Sequence, residues 1–416
     1  MKILLFGLAS SLHDREYYIN KYKIVVDLVN KLTCELNLKI DYIDNPITDY
    51  IKLEDYDLYI AVYLTGGTST LGFRLIMDKM KPVVLIASGE HNALASALST
   101  RSRLVENNIK NYLIPVIDSN DLLEKMSYII KSIKVINDLK NLRILEINEN
   151  GFVSRDGLKY IERIGGIIEA MSYSELMNRV NKVDQSVINK LVDELSRRYG
   201  INGDNRFINI VKLIHVVENI VFEKNIDVVS IDCFPFIVKT GFTPCILVSY
   251  LTAKGIPVIC ENDYLSLPLM YIAYRITGYP GWICNPSGYT NNGLTRFAHC
   301  TIADNLCLDL KTIEHFESGK PYGLTCRFKY DNVLLTRFSI DYTTLRIYKG
   351  KVIESGLLDQ NYCRTQLLIE IRGLNPLNFY RNAFGNHHVL IIDENKVIDY
   401  LDFISWWMNW KIEIVN

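Results

Sequence analysis

Hydrophobic positions in the first third of the chain come in short runs: KILLFGL, KIDYID, LYIAVYLT, PVVLIA and YLIPVI. Between them lie amphipathic stretches such as EYYINKYKIVVDLVNKLTCEL and NALASALSTRSRLVEN. Strands that are mostly apolar rather than alternating predict a parallel sheet covered by helices on both faces. A second series of the same kind starts at NLRILEI, after the charged helix EKMSYIIKSIKVINDLK. It runs through SVINKLVDELSRRY, VVSIDCF, PCILVSYLTAK, PVICE, LSLPLMYIAYRIT and GWICN, as helix and strand in turn. Beyond about residue 311 the pattern changes. GLTCRFKY, NVLLTRFSI, TTLRIYKG, KVIESGLL and QLLIEIRG often alternate and are broken by Gly, Asp and Asn turns, the signature of an antiparallel sheet or small barrel. The chain closes with HHVLIID and the apolar helix DYLDFISWWMNW, whose Phe403, Trp406, Trp407 and Trp410 suit core or subunit packing.

The predicted organisation is therefore α/β, with two doubly wound parallel-sheet domains (1–138 and 139–311) and a C-terminal antiparallel, barrel-like domain (312–416). Its 416 residues suit two or three domains. No repeat of solenoid period interrupts them.

Composition narrows the partners. Lys+Arg 46 against Asp+Glu 47 gives a net charge of -1, and no basic block stands out, which argues against nucleic acid. No apolar run is long enough to span a bilayer, and KILLFGLASSL leads into the charged HDREYY without a small-residue cleavage site. The 9 cysteines are scattered singly, with no CxxC pair, which suits reduced, buried thiols. Together these features predict a soluble cytoplasmic protein.

Candidate chemistry gathers where strands end, since ligands of open α/β sheets bind beyond the carboxyl ends of the strands. Asp232 follows VVSI, Glu261 and Asp263 follow PVIC, Asn285 follows GWIC, and His299 ends RFAH. Ionised acids are costly to bury without a cation or hydrogen-bond partners. Carboxylate and imidazole together suit a borderline-hard divalent ion such as Mn(II). Each residue also has a plainer reading: Glu261 as a salt-bridge partner, Asp263 as the cap of a helix starting at Leu265, His299 as a satisfied core histidine. His387 and His388 in FGNHHVL lack the HExxH spacing of a helix-borne zinc site. The small-residue turn TGGTS (Thr65, Gly66, Gly67, Thr68, Ser69) follows a strand and precedes a helix, where backbone N–H groups can approach an anion or a sugar oxygen. It is neither a Walker A nor a GxGxxG sequence.

Taken in order, these pieces resemble the L-fucose isomerase and L-arabinose isomerase superfamily, particularly its shorter fucose-isomerase-like members. The likeness spans nearly the whole chain. It rests on LTGGTS with PVVLIASGEHNALASALSTRSRL, on IDCFPFIVKTGFTPCILVSYLTAKGIPVICENDY, on HFESGKPYGLTCRF with YCRTQLLIEI, and on FGNHHVL. The resemblance implies an aldose–ketose isomerase of an unphosphorylated sugar, in which Mn(II) bridges vicinal oxygens and a carboxylate moves a proton between C1 and C2 through a cis-enediol. The implied metal ligands are Glu261, His387 and His299, with Glu261 also the acid/base. Thr65, Gly66, Gly67, Thr68, Arg364 and His388 are the implied substrate contacts, and a homo-oligomer, trimer or hexamer, is the implied assembly.

One position departs from the family pattern. The second family carboxylate is replaced by Asn285, in Asn-Pro-Ser; an amide ligates through its carbonyl oxygen but accepts no proton at neutral pH. Asp263 and Asp232 are the nearest replacements. Two alternatives follow: an enzyme of an anionic sugar derivative, with Lys239, Arg275 and Arg296 as contributing cations, or a non-catalytic sugar-binding protein on the same scaffold.

Overall fold

The computed structural model describes residues 1–202 and 204–415, which fall into two compact units, Met1–Asn137 and Asp138–Asn416. In the first, strands β1 (Ile3–Leu8), β2 (Asp41–Tyr42), β3 (Leu58–Tyr63), β4 (Val83–Ser88) and β5 (Asn111–Val116) form one parallel sheet in the order β2-β1-β3-β4-β5. Every residue of β1, β3 and β4 is buried, because helices cover both faces; this is why those strands read as unbroken apolar runs. The helix Arg15–Glu35 begins at Asp14, whose carboxylate accepts from the Glu16 N–H. It buries Tyr18, Tyr22, Val25, Val26, Val29 and Leu32, one face at helical spacing.

The second unit holds two sheets. Strands β6 (Arg143–Asn148), β7 (Ile167–Ser172), β8 (Val228–Ile231) and β9 (Val258–Cys260) are parallel, in the order β7-β6-β8-β9. Next along the chain come β10 (Trp282–Tyr289), β11 (Thr295–His299), and a separate pair, β12 (Lys311–Ile313) with β13 (Gly323–Thr325). They are followed by β14 (Asn332–Phe338), β15 (Thr344–Gly356), β16 (Thr365–Ile371), β17 (His388–Ile392) and β18 (Lys411–Val415). The order β14-β17-β10-β11-β16-β15 closes on itself through antiparallel β14–β15 pairing, giving a six-stranded barrel. Strand β18 adds to β15 in parallel outside that ring. The barrel is filled by Trp282, Phe297, Leu335, Tyr348, Leu367 and Leu390, among others.

Two expectations are corrected here. GWICN does not extend the parallel sheet: β10 pairs antiparallel with β11 and β17 as a barrel strand. A four-residue apolar run looks the same in either setting. The deciding signal is the turn TNNG between β10 and β11, where Gly293 at φ 85 makes a hairpin, and a hairpin joins antiparallel strands. Nor are all nine cysteines free, because Cys307 and Cys326 form a disulfide.

In the closing helix Glu394–Met408, Phe403 is buried, and Trp410 beyond it stacks edge-on against Phe338, so these two serve the core. Among the described residues no helix is long and apolar enough to cross a membrane.

Candidate metal centre

Strand β9 ends at Cys260, and the next two residues reverse the chain. Glu261 and Asn262 adopt φ 57 and φ 48, a left-handed pair that costs non-glycine residues about 1–2 kcal/mol each. Side-chain bonds offset that cost. Asn262 Oδ1 accepts from Ser230 Oγ at 2.7 Å, at the end of neighbouring β8. The fully buried Glu146 of β6 accepts from Tyr264 Oη (2.7 Å), Asn148 Nδ2 (2.8 Å) and the Ser154 N–H (3.1 Å), and more weakly from Asn262 Nδ2 (3.4 Å). Glu146 therefore fastens the turn that swings the Glu261 side chain out of the strand. Sequence reading passed over Glu146; its signal was a carboxylate inside the apolar run RILEI.

Asp263, two residues on, is wholly engaged. Its Oδ1 accepts from the Leu265 N–H at 3.2 Å. Its Oδ2 accepts from Ser266 Oγ (2.6 Å), from Arg337 Nη1 (2.6 Å) and from His387 Nδ1 (2.9 Å). Burial alone would raise its carboxyl pKa, but His387 and Arg337 outweigh it and hold the group well below the usual carboxylate range. The helix it was expected to cap starts at Leu267, with Ser266 at the capping position. Asp263 thus anchors His387. Arg337 of β14, 6% exposed, was also missed; nothing in NVLLTRFSI marks it.

With Asp263 accepting from Nδ1, the ring of His387 presents its other nitrogen, Nε2, 3.6 Å from Glu261 Oε1, where an entering ion would replace its proton. His299 Nε2, at the end of β11, is 3.9 Å from the same oxygen. The atoms of Glu261, His299 and His387 lie within 4.8 Å of one another. Both Nε2 atoms are buried without a hydrogen-bond partner among the described residues, an expensive state for two imidazoles unless they face a cation. Burial first, then His387, lowers the His299 pKa to about 4, leaving its lone pair available. Burial raises the Glu261 carboxyl, but the two histidines outweigh it and keep it ionised. Ligands about 2.1 Å from a shared cation sit about 3.0–3.5 Å apart, so the two contacts to Glu261, at 3.6 and 3.9 Å, lie only slightly beyond ligating separation. One carboxylate and two imidazoles can hold a divalent ion and leave its remaining positions open.

Asn285 lies on the strand between those that lead to the two histidines. On β10 it pairs with Ala298, the neighbour of His299, while Cys284 pairs with His388, the neighbour of His387. Its buried Oδ1 is likewise without a partner among the described residues. Asp232 and Glu261 leave adjacent strand ends, one residue past the Ile231–Cys260 rung. Burial first, then the charges of Glu261, Glu146 and Glu149, raises the Asp232 carboxyl pKa. Its side chain makes no capping bond to the helix Cys233–Thr240.

Other expected contacts sit elsewhere. His388, the next residue after His387, is fully buried against Phe297, Tyr348 and Phe379 inside the barrel, because successive strand residues face opposite sides. Arg364 donates to the backbone oxygens of Glu314 (3.0 Å) and Gln360 (3.1 Å) and lies over Phe316, bracing a loop rather than pairing with a carboxylate. In the first unit, Thr65 and Thr68 are buried: Thr65 Oγ1 accepts from the Ser10 N–H and Thr68 Oγ1 donates to the Thr65 carbonyl, so neither faces outward. Gly66 and the exposed Gly67 do line a concavity of about 430 Å³ with Ser10, His13, Asn92 and Ser96. Of the three cations named for an anionic sugar, Lys239 pairs with Glu149, Arg275 with Asp138, and Arg296 donates to Gln366.

The chain matches no protein-family model and no curated protein.

Proposed function

We propose that the protein is a metal-dependent aldose–ketose isomerase acting on an unphosphorylated sugar of the L-fucose or L-arabinose type. The observation that carries this reading is the convergence of Glu261 Oε1 with two unpartnered imidazole nitrogens, one of them aimed by Asp263. A divalent ion, Mn(II) by the resemblance, would be held by Glu261, His299 and His387, with the Asn285 oxygen alongside. When bound it would supply Lewis-acid polarisation of the open-chain sugar's carbonyl.

The chain's own groups supply the rest. Glu261 is ionised and its side chain is 28% exposed, so its second oxygen can take the proton from C2 and return it to C1 through a cis-enediol. Asp263 and Arg337 hold His387 and do not enter the transfer. Asp232, beside Glu261 at the next strand end, is the carboxyl that can take over the proton work Asn285 cannot perform. The engagement of Lys239, Arg275 and Arg296 elsewhere weighs against an anionic substrate. A trimer or hexamer belongs to the same proposal and is read by sedimentation.

The test is to strip the protein of metal, restore Mn(II), and follow ketose formation from a panel of aldoses. Turnover that depends on Mn(II), and that falls roughly 10²–10⁴-fold in Glu261→Gln, supports the reading. Metal and sugar binding without turnover would leave a sugar-binding protein instead.

A further inference from the structure

A second cluster of metal-ligating side chains lies just past the first. Cys300 follows His299 directly, at the end of β11, and Cys363 lies two residues before β16, the strand that pairs with β11 through His299 and Thr365. Their sulfurs are 3.7 Å apart, and an oxygen of Glu317 lies within 4.8 Å of both. Neither cysteine takes part in the Cys307–Cys326 disulfide.

We propose that Cys300, Cys363 and Glu317 form a second metal site, selective for a thiophilic divalent ion of the zinc class and distinct from the Glu261 centre. The spacing supports it. Two thiolates about 2.3 Å from a tetrahedral ion stand about 3.7–3.8 Å apart, so the observed separation needs almost no adjustment. A disulfide between them would require the sulfurs to close to about 2.05 Å, and it would leave the carboxylate without a role.

Access fits as well. Cys300 is buried, Cys363 is half-buried, and Glu317 is exposed on the turn His315–Lys320, which closes through the His315 N–H to Lys320 carbonyl bond. Ions can therefore enter from the Glu317 side, and a water or a further donor completes the four positions. On binding, each S–H bond is replaced by a sulfur–metal bond and two protons pass to solvent. The softer sulfur ligands separate this site from the Glu261 centre, whose oxygen and nitrogen donors suit a harder ion. Because Cys300 adjoins His299, occupancy of the second site would also fix the end of the strand that carries one ligand of the first.

The experiment uses the full chain, stripped of metal under reducing conditions and titrated with Cd(II) alone while thiolate-to-metal charge-transfer absorption is followed in the ultraviolet. One equivalent should raise this band, Cys363→Ser should abolish it or shift its midpoint more than tenfold, and Glu317→Gln should weaken it. Glu261→Gln should leave it unchanged. Cys363 is not fully buried, so its variant is the primary test, with Cys300→Ser read only where its circular dichroism matches the parent. Absence of the band in the parent protein, its persistence in Cys363→Ser, or its loss in Glu261→Gln would each overturn the proposal.

Discussion

Asp263 Oδ2 accepts a hydrogen bond of 2.9 Å from His387 Nδ1, and that bond turns the ring's other nitrogen toward Glu261. The contact fixes a tautomer as well as a position. A histidine held this way is a better ligand than a free one, because its lone pair is already aimed and its basicity is raised.

Asp263→Asn should therefore weaken metal binding about 10–100-fold while the three ligands remain in place. Competition titration against a chelator of known affinity reads this directly. An unchanged affinity would remove Asp263 from the metal centre.

The same bonds set a pH dependence. In metal-free protein, burial opposes charge on His387, but the hydrogen bond to Asp263 and the nearby negative charges of Asp263 and Glu261 outweigh it and lift its pKa from 6.5 to about 9. Below that value an ion must displace a proton from Nε2. Apparent metal affinity should climb roughly tenfold per pH unit up to about 9 and then level off. The raised value also means that charged His387 stabilises the metal-free fold fully below pH 6.5 and progressively less as pH rises through about 9. Calorimetric titration at pH 7.5 in two buffers of different protonation enthalpy should reveal the released proton; identical heats would contradict it.

Asn262 is held left-handed at φ 48 while its side chain bridges Ser230 and Glu146. Asn262→Ala loses both the bonds and the residue type that tolerates this backbone, and should cost about 2–3 kcal/mol in urea unfolding. Asn262→Gly should recover part of this, because it restores backbone freedom but not the bonds. If the two variants are equally unstable, the backbone conformation contributes nothing.

The Cys307–Cys326 link spans 19 positions in the sequence, a loop whose closure is worth about 3 kcal/mol. Cys326→Ser, or full reduction, should lower the melting temperature by several degrees. A melting curve that is insensitive to reductant at denaturing temperatures would argue against the link.

The sequence exposed most of the layer structure, because strands buried on both faces cannot hide their apolar runs and turns betray themselves through glycine and asparagine. Glu261, His299 and His387 were legible because charged or titratable groups at buried strand ends stand out from their surroundings. Asp263 was legible only as a candidate, since its cap and its anchoring role look identical until Arg337 and His387 are brought next to it. Arg337 and Glu146 act through partners 74 and 118 or fewer residues away, and no local pattern records such pairings. His388 misled because a dipeptide gives no hint of which member faces inward. Strand β18, KIEIV, went unread although it alternates, because it follows a helix that seemed to end the chain.

The closed ring of β14-β17-β10-β11-β16-β15 has a mechanical consequence. His299 and His387 belong to that ring and its rim, whereas Glu261 hangs from the edge strand of the parallel sheet. An ion bound among them would act as a rivet between two separately hydrogen-bonded bodies. Stripping it should loosen the seam first, so that barrel and sheet begin to part company before either one frays.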